Sequence, residues 1–375
     1  MAERPDVRPD GPPDGLAALL ERAVPEVCSA AVALVAVGGR VAAAAVAGEL
    51  VRYADCSGTL AADRPAARRD SLFDLASISK LCTTAAMLSL AEDGLLGLDD
   101  PVARWLPAHY AHRPHVTVRH LLTHTAGLQP TRRPDLELPS GSPAERLELV
   151  LSTPATLPVG GPYVYSDVGM VTAGRVAEIA GGAPLEELVR ERVTGPLGMR
   201  DTCYRPASGL LPRIAATECH PGGCLRGQVH DETARALGGV AGHAGLFATA
   251  DDVLRLGEAL RLGGGAALKP ATVAEMTRDQ GASGAPFRQG LGVRIGDPAI
   301  VGPLTDAFGH SGFTGTSLVV DRGLALTVVL LTNAVHPVRG RPGIRELRSA
   351  VAQEARALAL PAPPRPAASP RARRP

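Results

Sequence analysis

Apolar positions along this chain change their period several times, and the changes mark out its elements. Leu16, Leu19, Leu20 and Ala23 recur at helical spacing, whereas Val27 to Val37 and Arg40 to Val46 are apolar runs flanking Gly38-Gly39. A two-residue glycine turn between such runs predicts a β-hairpin, because hairpin turns need positive φ angles that glycine takes freely. A further strand is expected around Leu50 to Leu60. From Ser77 to about Gly239 the pattern is dominantly helical, over Ser77 to Gly94, Val118 to Thr125, Pro143 to Leu151, Val168 to Ala180 and Pro184 to Val193. Gly94 and Gly181 stand where C-terminal caps belong. Strand patterning returns in Thr316 to Val320 and Leu324 to Leu331, joined by Asp321-Arg322-Gly323. Ile344, Leu347, Val351 and Leu358 then mark a closing amphipathic helix.

Strands at both ends with a helical middle predict an α/β (α+β) class fold, with an antiparallel sheet built from both termini, flanked by helices, and an inserted all-helical domain. The expected organisation is a sheet domain from residues 15–76 and 240–360, a helical domain over 77–239, and disordered ends at 1–14 and 361–375. Both ends are proline-rich, and the last carries a basic run.

Charge narrows the partners. With 39 basic and 38 acidic residues, the chain has no general attraction for nucleic acid or an anionic membrane, and 3% aromatics leave few stacking platforms for bases. No apolar stretch is long enough to span a bilayer, and Met1 to Asp14 lacks the apolar core of a secretory signal. The expected location is therefore cytoplasmic. The six cysteines (28, 56, 82, 203, 219, 224) follow the same expectation of reduced thiols, although Cys219 and Cys224 are near enough in sequence for a local bridge or half a metal site. No metal or organic cofactor is expected. His120 and His124 have metal-compatible spacing, yet a structural role outweighs it.

The chemistry concentrates in three places. Ser77-Ile78-Ser79-Lys80 puts a hydroxyl and an amine three residues apart, on one helix face. A serine becomes a nucleophile when a neighbour takes its proton. Tyr163-Val164-Tyr165-Ser166-Asp167 enters a later helix, where a phenol beside a lysine can relay a proton and a carboxylate can pair with it. Gly309-His310-Ser311-Gly312-Phe313 precedes the last hairpin, where glycines let a backbone N–H approach a ligand. No Gly-x-Ser-x-Gly elbow and no His-Glu-x-x-His motif occurs, which argues against an α/β-hydrolase and a zinc peptidase.

Taken together and in this order, these pieces resemble the serine hydrolases of the class C β-lactamase-like and penicillin-binding protein family, over roughly residues 15 to 360. Phe73 to Lys80, Gly94 to Val102, Val116 to Leu128, Val229 to Glu232 and Gly238 to Phe247 are also similar to family segments. The resemblance implies a β-lactamase-like/transpeptidase-like fold. It implies Ser77 as the acylated nucleophile, Lys80 as its base or as the group that lets Tyr165 be the base, and an oxyanion site between the backbone N–H groups of Ser77 and Phe313. His310, Ser311, Gly312 and Asp167 would bind or orient the substrate.

Two departures shape the expected substrate. His310 stands where a lysine usually helps to hold a substrate carboxylate, and Asp167 stands where asparagine is usual. A carboxylate near Lys80 favours the ammonium and hence a relay centred on Tyr165. Both changes point to an esterase-like member acting on small esters or amides. A D-amino-acid peptidase or amidase, a β-lactamase, and an inactive binding module are the alternatives; sequence leaves the oligomeric state open.

Overall fold

Strand β1 (Ala30–Val37) is buried on both faces, and the layers of the molecule follow from it. Ala30, Val32, Leu34 and Ala36 join one hydrophobic core, while Ala31, Ala33 and Val35 join a second. A strand's side-chain period of two requires this division when both faces of a sheet are covered. The computed structural model describes residues 15–360. The disorder expected for 1–14 and 361–375 falls outside the described residues.

β1 pairs antiparallel with β2 (Arg40–Gly48) across the Gly38-Gly39 turn, where both glycines have positive φ. Four short strands follow: β3 (Phe73–Asp74), β4 (Cys203–Tyr204), β5 (Cys219–His220) and β6 (Gly223–Cys224). The remaining strands are β7 (Leu246–Ala248), β8 (Arg288–Gln289), β9 (Arg294–Ile295), β10 (Phe308–Ser311), β11 (Ser317–Asp321) and β12 (Leu326–Thr332). The main sheet has seven strands in the order β2-β1-β12-β11-β10-β9-β8, so the first hairpin is joined to strands from the far end of the chain. All of its pairings are antiparallel. One face is covered by the Gly15–Ala23 and Ile344–Ala359 helices, the other by the Ala250–Arg261 helix.

The Ser79–Glu92 helix is buried all round rather than on one stripe, as its Leu, Cys, Thr, Ala and Met residues allow. It packs against the Asp167–Gly181 helix, and these two elements bring the first two sequence motifs together.

Several boundaries differ from the sequence pattern. Leu50 to Leu60 forms only isolated bridges, because its second half is exposed and Asp55 holds Ser57 and Thr59 in a local turn, leaving no face to bury. Gly182, with φ 68°, caps the Asp167–Gly181 helix. Gly181 instead sits against Leu188 and Leu90. Thr249 caps the Ala250–Arg261 helix, an element beyond those expected.

Candidate active site

Ser77 lies in a tight helical turn, Ala76–Ile78, which runs directly into the Ser79–Glu92 helix. Ala76 has φ +46°, a left-handed conformation unusual for a residue with a Cβ. The buried Asp74 carboxylate accepts from the Ala76 N–H at 2.8 Å and from the His230 N–H at 2.6 Å, fixing that conformation next to the serine. Burial of this carboxyl opposes its ionisation and pushes its pKa up.

Lys80 has no solvent exposure. Its Nζ donates to Ser77 Oγ at 2.8 Å and to the His243 carbonyl at 3.1 Å, and stands 2.8 Å from Asp167 Oδ1. The Asp167 contact is an ion pair by distance but not an aligned hydrogen bond. Burial alone would favour the neutral amine. The charge of Asp167 and the Tyr165 phenol outweigh it, so the Lys80 pKa is raised above 10.5 and the ammonium dominates at neutral pH. The ring centroid of Tyr165 is 4.8 Å from the same nitrogen. Ser166 caps the Asp167–Gly181 helix, accepting from the Gly169 N–H at 3.0 Å, which fixes Tyr165 and Asp167 on either side of it.

The third motif is stitched to the first. Thr314 Oγ1 donates to the Asp74 carbonyl at 2.7 Å and Thr316 Oγ1 to the Leu75 carbonyl at 3.1 Å. A Cβ on Gly312 would lie 2.2 Å from Thr316 Oγ1 and 2.4 Å from the Leu75 carbonyl oxygen, so only glycine lets the turn press this closely. From beneath, the buried Arg348 guanidinium donates to the Gly312 and Thr316 carbonyls at 2.9 and 3.1 Å. These contacts hold the Phe313 backbone near the turn carrying Ser77. The Phe313 N–H has no backbone acceptor among the described residues, and the Ser77 N–H sits in a first helical turn, where such groups lack intrahelical partners. The Phe313 side chain is 63% exposed and stacks on His230, with ring centroids 5.7 Å apart.

His310 and Ser311 lie on β10, with His310 buried and its Nδ1 2.8 Å from the Ser311 carbonyl. Burial and the nearby Arg294 and Lys80 charges push its pKa well below 6.5, so the ring is neutral. The structure thus gathers Ser77, Lys80, Tyr165, Asp167, His310 and the Gly312-Phe313 turn into one region.

Sequence reasoning missed Arg294. β9–β10 pairing sets it opposite Gly309, and its guanidinium carbon lies 4.7 Å from the Tyr165 ring centroid and 4.9 Å from that of Phe287. It also missed the part played by His124, whose ring is 4.7 Å from that of Tyr165 and whose Nδ1 accepts from the Ser166 N–H at 3.1 Å. Only the strong helix cap at Ser166 hinted at so much order around this tyrosine. His120 binds Thr117 instead, so the two histidines do not converge on a metal.

The expectation of reduced thiols fails for one pair. Cys219 and Cys224 are disulfide-bonded, because β5 and β6 form a hairpin that sets them directly opposite each other. Cys219, Cys224 and His336 bring three metal-compatible donor atoms within 4.8 Å. However, the sulfurs bind each other, and His336 is engaged at both nitrogens, by the Thr217 carbonyl at 2.8 Å and by the Arg52 and Tyr53 N–H groups at 3.2 and 3.1 Å. Cys28, Cys56, Cys82 and Cys203 are free thiols. No helix among the described residues is long and apolar enough to cross a membrane.

Comparison with known proteins places this geometry among relatives. A family model described as Beta-lactamase matches residues 19–353. A protein of Escherichia coli (strain K12), named "Putative D-alanyl-D-alanine carboxypeptidase", is 32% identical over 305 residues, covering 71% of this chain and 70% of that protein. Among solved structures, "EstCE1, a hydrolase with promiscuous acyltransferase activity" is similar with a TM-score of 0.71 and 29% identity, covering 90% of this chain and 97% of its own. A penicillin-binding protein homolog from Caulobacter crescentus has a TM-score of 0.69 at 21% identity, covering 92% of this chain and 97% of its own, a likeness of fold alone.

Proposed function

The chain belongs to the beta-lactamase family, and from that membership we propose that it is a serine hydrolase working through a Ser-x-x-Lys acyl-enzyme, with small carboxylic esters as substrates. The observation carrying this reading is the 2.8 Å contact between Ser77 Oγ and a fully buried Lys80 Nζ. Ser77 Oγ attacks the ester carbonyl carbon while its proton passes into the Tyr165–Lys80 pair. The oxygen of the tetrahedral intermediate is met by the Ser77 and Phe313 N–H groups. The alkoxide leaves with that proton, and water then attacks the acyl-serine by the same path in reverse. Because Asp167 keeps Lys80 charged, the relay is centred on Tyr165, whose ring centroid lies 4.8 Å from the ammonium.

Two observations favour a second reading, a D-alanyl peptidase. One is the name of the Escherichia coli relative. The other is Arg294, beside Tyr165 and opposite Gly309, which pairs with Asp297 through one nitrogen at 3.0 Å and can meet a substrate carboxylate with the rest of its guanidinium even though His310 is neutral. The test is turnover of p-nitrophenyl esters of varied chain length, D-Ala-D-Ala peptides and nitrocefin by the protein and by Ser77→Ala. Ester turnover lost in Ser77→Ala supports the first reading, and preference for D-Ala peptides moves the assignment to the second. Activity unchanged in Ser77→Ala overturns the mechanism, and no turnover of any substrate favours a binding module.

A further inference from the structure

Lys80 has a third partner besides Ser77 and Asp167, the His243 carbonyl, which sits in a tight, buried turn bridged between Ala241 and Ala244. Gly242 and Gly245 bracket the turn. Gly242 is pressed so close to the Asp167–Gly181 helix that a Cβ would lie 2.0 Å from the Met170 carbonyl oxygen, and Gly245 has φ +124°. The His243 ring is almost fully enclosed, with its side chain 1% exposed. Its Nε2 meets Asp231 Oδ1 at 2.7 Å, while its buried Nδ1 has no partner among the described residues. The ring's polar anchorage therefore rests on Asp231 alone.

Asp231 in turn is fixed. The same Oδ1 accepts from the Ala234 N–H at 2.8 Å, capping the Glu232–Ala236 helix. Burial opposes its charge, yet His243, the Ala234 N–H and Lys80 hold its carboxyl well below the usual carboxylate range. Asp231 thus reaches Lys80 chiefly through His243, whereas Asp167 contacts the ammonium directly.

We infer that Asp231 and His243 are a positioning pair for Lys80, gripping the ring so that the His243 carbonyl oxygen stays on the Lys80 ammonium while Ser77 is activated. This rests on the reading of Ser77 and Lys80 as the reactive pair. Neither residue touches the serine or needs to touch substrate; both act through Lys80. An ordinary helix cap explains the Ala234 contact but not the buried ring, which spends its one hydrogen bond on the capping carboxylate.

The charged and titratable groups facing Lys80 are Tyr165 and Asp167 at the start of one helix, Asp231 and His243 from the 231–243 segment, His124 from the loop after the Val118–Leu122 helix, and His310 on β10. Arg294 on β9 reaches the Tyr165 ring from the other side. Of these, Asp231 can lose its charge without losing its acceptor, because asparagine still caps Ala234 and still accepts from His243.

The experiment is the rate at which a fluorophosphonate labels Ser77 between about pH 5 and 10, which needs an activated serine but no particular substrate. Asp231→Asn, with an unchanged thermal midpoint, is expected to label about tenfold more slowly at neutral pH. Its alkaline limb should lie about one pH unit lower, because a negative charge near Lys80 has been removed. His243→Phe, which keeps an aromatic ring without its nitrogens and leaves the Asp231 charge, should label slowly without that displacement of the limb. Wild-type rate and limb in Asp231→Asn would overturn the inference, as would a uniform loss at every pH that tracks a fall in thermal midpoint. A wild-type protein that takes no label overturns the serine reading and this inference together.

Discussion

Asp167 Oδ1 stands 2.8 Å from Lys80 Nζ, and the lysine it neutralises has no exposure to solvent. The pairing turns a buried amine, which desolvation would otherwise discharge, into an ammonium. In the proposed mechanism the lysine then serves less to take the proton from Ser77 than to hold charge beside Tyr165.

Replacing Asp167 by asparagine, the residue more usual at this place, tests that role. Asp167→Asn keeps an acceptor and the helix start but removes the counter-charge, so the alkaline limb of kcat/KM should move to lower pH. A folded-state lysine pKa above 10.5 means that, while Asp167 is ionised, the lysine's contribution is complete below 10.5 and fades as pH rises through the folded pKa. The variant is expected to lose about 1–3 kcal/mol at neutral pH, read by urea unfolding. An unmoved limb with unchanged stability refutes the assignment.

Three buried imidazoles set the acid sensitivity of the fold. Burial pushes the pKa of His124 down to about 3 and that of His336 to about 4, and lowers His310 well below 6.5. All three are neutral in the folded protein and take up protons when it unfolds. The stability they contribute is therefore complete above pH 6.5 and is lost as pH falls from there toward the folded values. Between pH 6.5 and 5.5 each costs up to about 1 kcal/mol. Urea midpoints measured at pH 7.5 and 5.5 check this, and His336→Gln, remote from Ser77, should flatten part of the dependence.

Phe313 separates side chain from backbone. Its ring is largely exposed, so Phe313→Ala should change stability by less than about 1 kcal/mol and alter KM more than kcat. Phe313→Pro removes the N–H assigned to the oxyanion and should cut kcat by about two to three orders of magnitude. Equal kcat in the two variants would remove Phe313 from the oxyanion site.

The β5–β6 hairpin gives a chemical count. Under denaturing, non-reducing conditions four of the six thiols should react with a thiol reagent, and all six after reduction. The double variant Cys219→Ser/Cys224→Ser is expected to lose about 2 kcal/mol, since the bridge closes only a short loop. Six reactive thiols before reduction would exclude the bond.

Much of the site was legible because its chemistry is local in sequence. Ser77 and Lys80 share a helix face by spacing alone, and Tyr165 and Asp167 flank a capping serine. Asp167 as a counter-charge and His310 as a neutral ring both followed from residue type. Arg294 was not legible, because a single arginine in an irregular stretch gains meaning only when β9 pairs with β10. The His243 carbonyl was equally hidden, since a main-chain oxygen leaves no mark in the side-chain pattern. Cys219 and Cys224 needed the hairpin register, and the stretch from Leu50 to Leu60 looked like a strand because its apolar residues carry no record of which of them are exposed.

The order of the main sheet bears on how the molecule is made. β1 is synthesised well before its neighbour β12, with the whole helical middle of the chain between them. The segment bearing Ser77 and Lys80 is likewise made long before Thr314 and Thr316, whose hydroxyls tie the Gly312-Phe313 turn to Asp74 and Leu75. On the proposed mechanism, a nascent chain carries Ser77 before the Phe313 turn that would meet the oxyanion. The β1 edge that takes β12 stays bare, and open to aggregation, until β12 has been made.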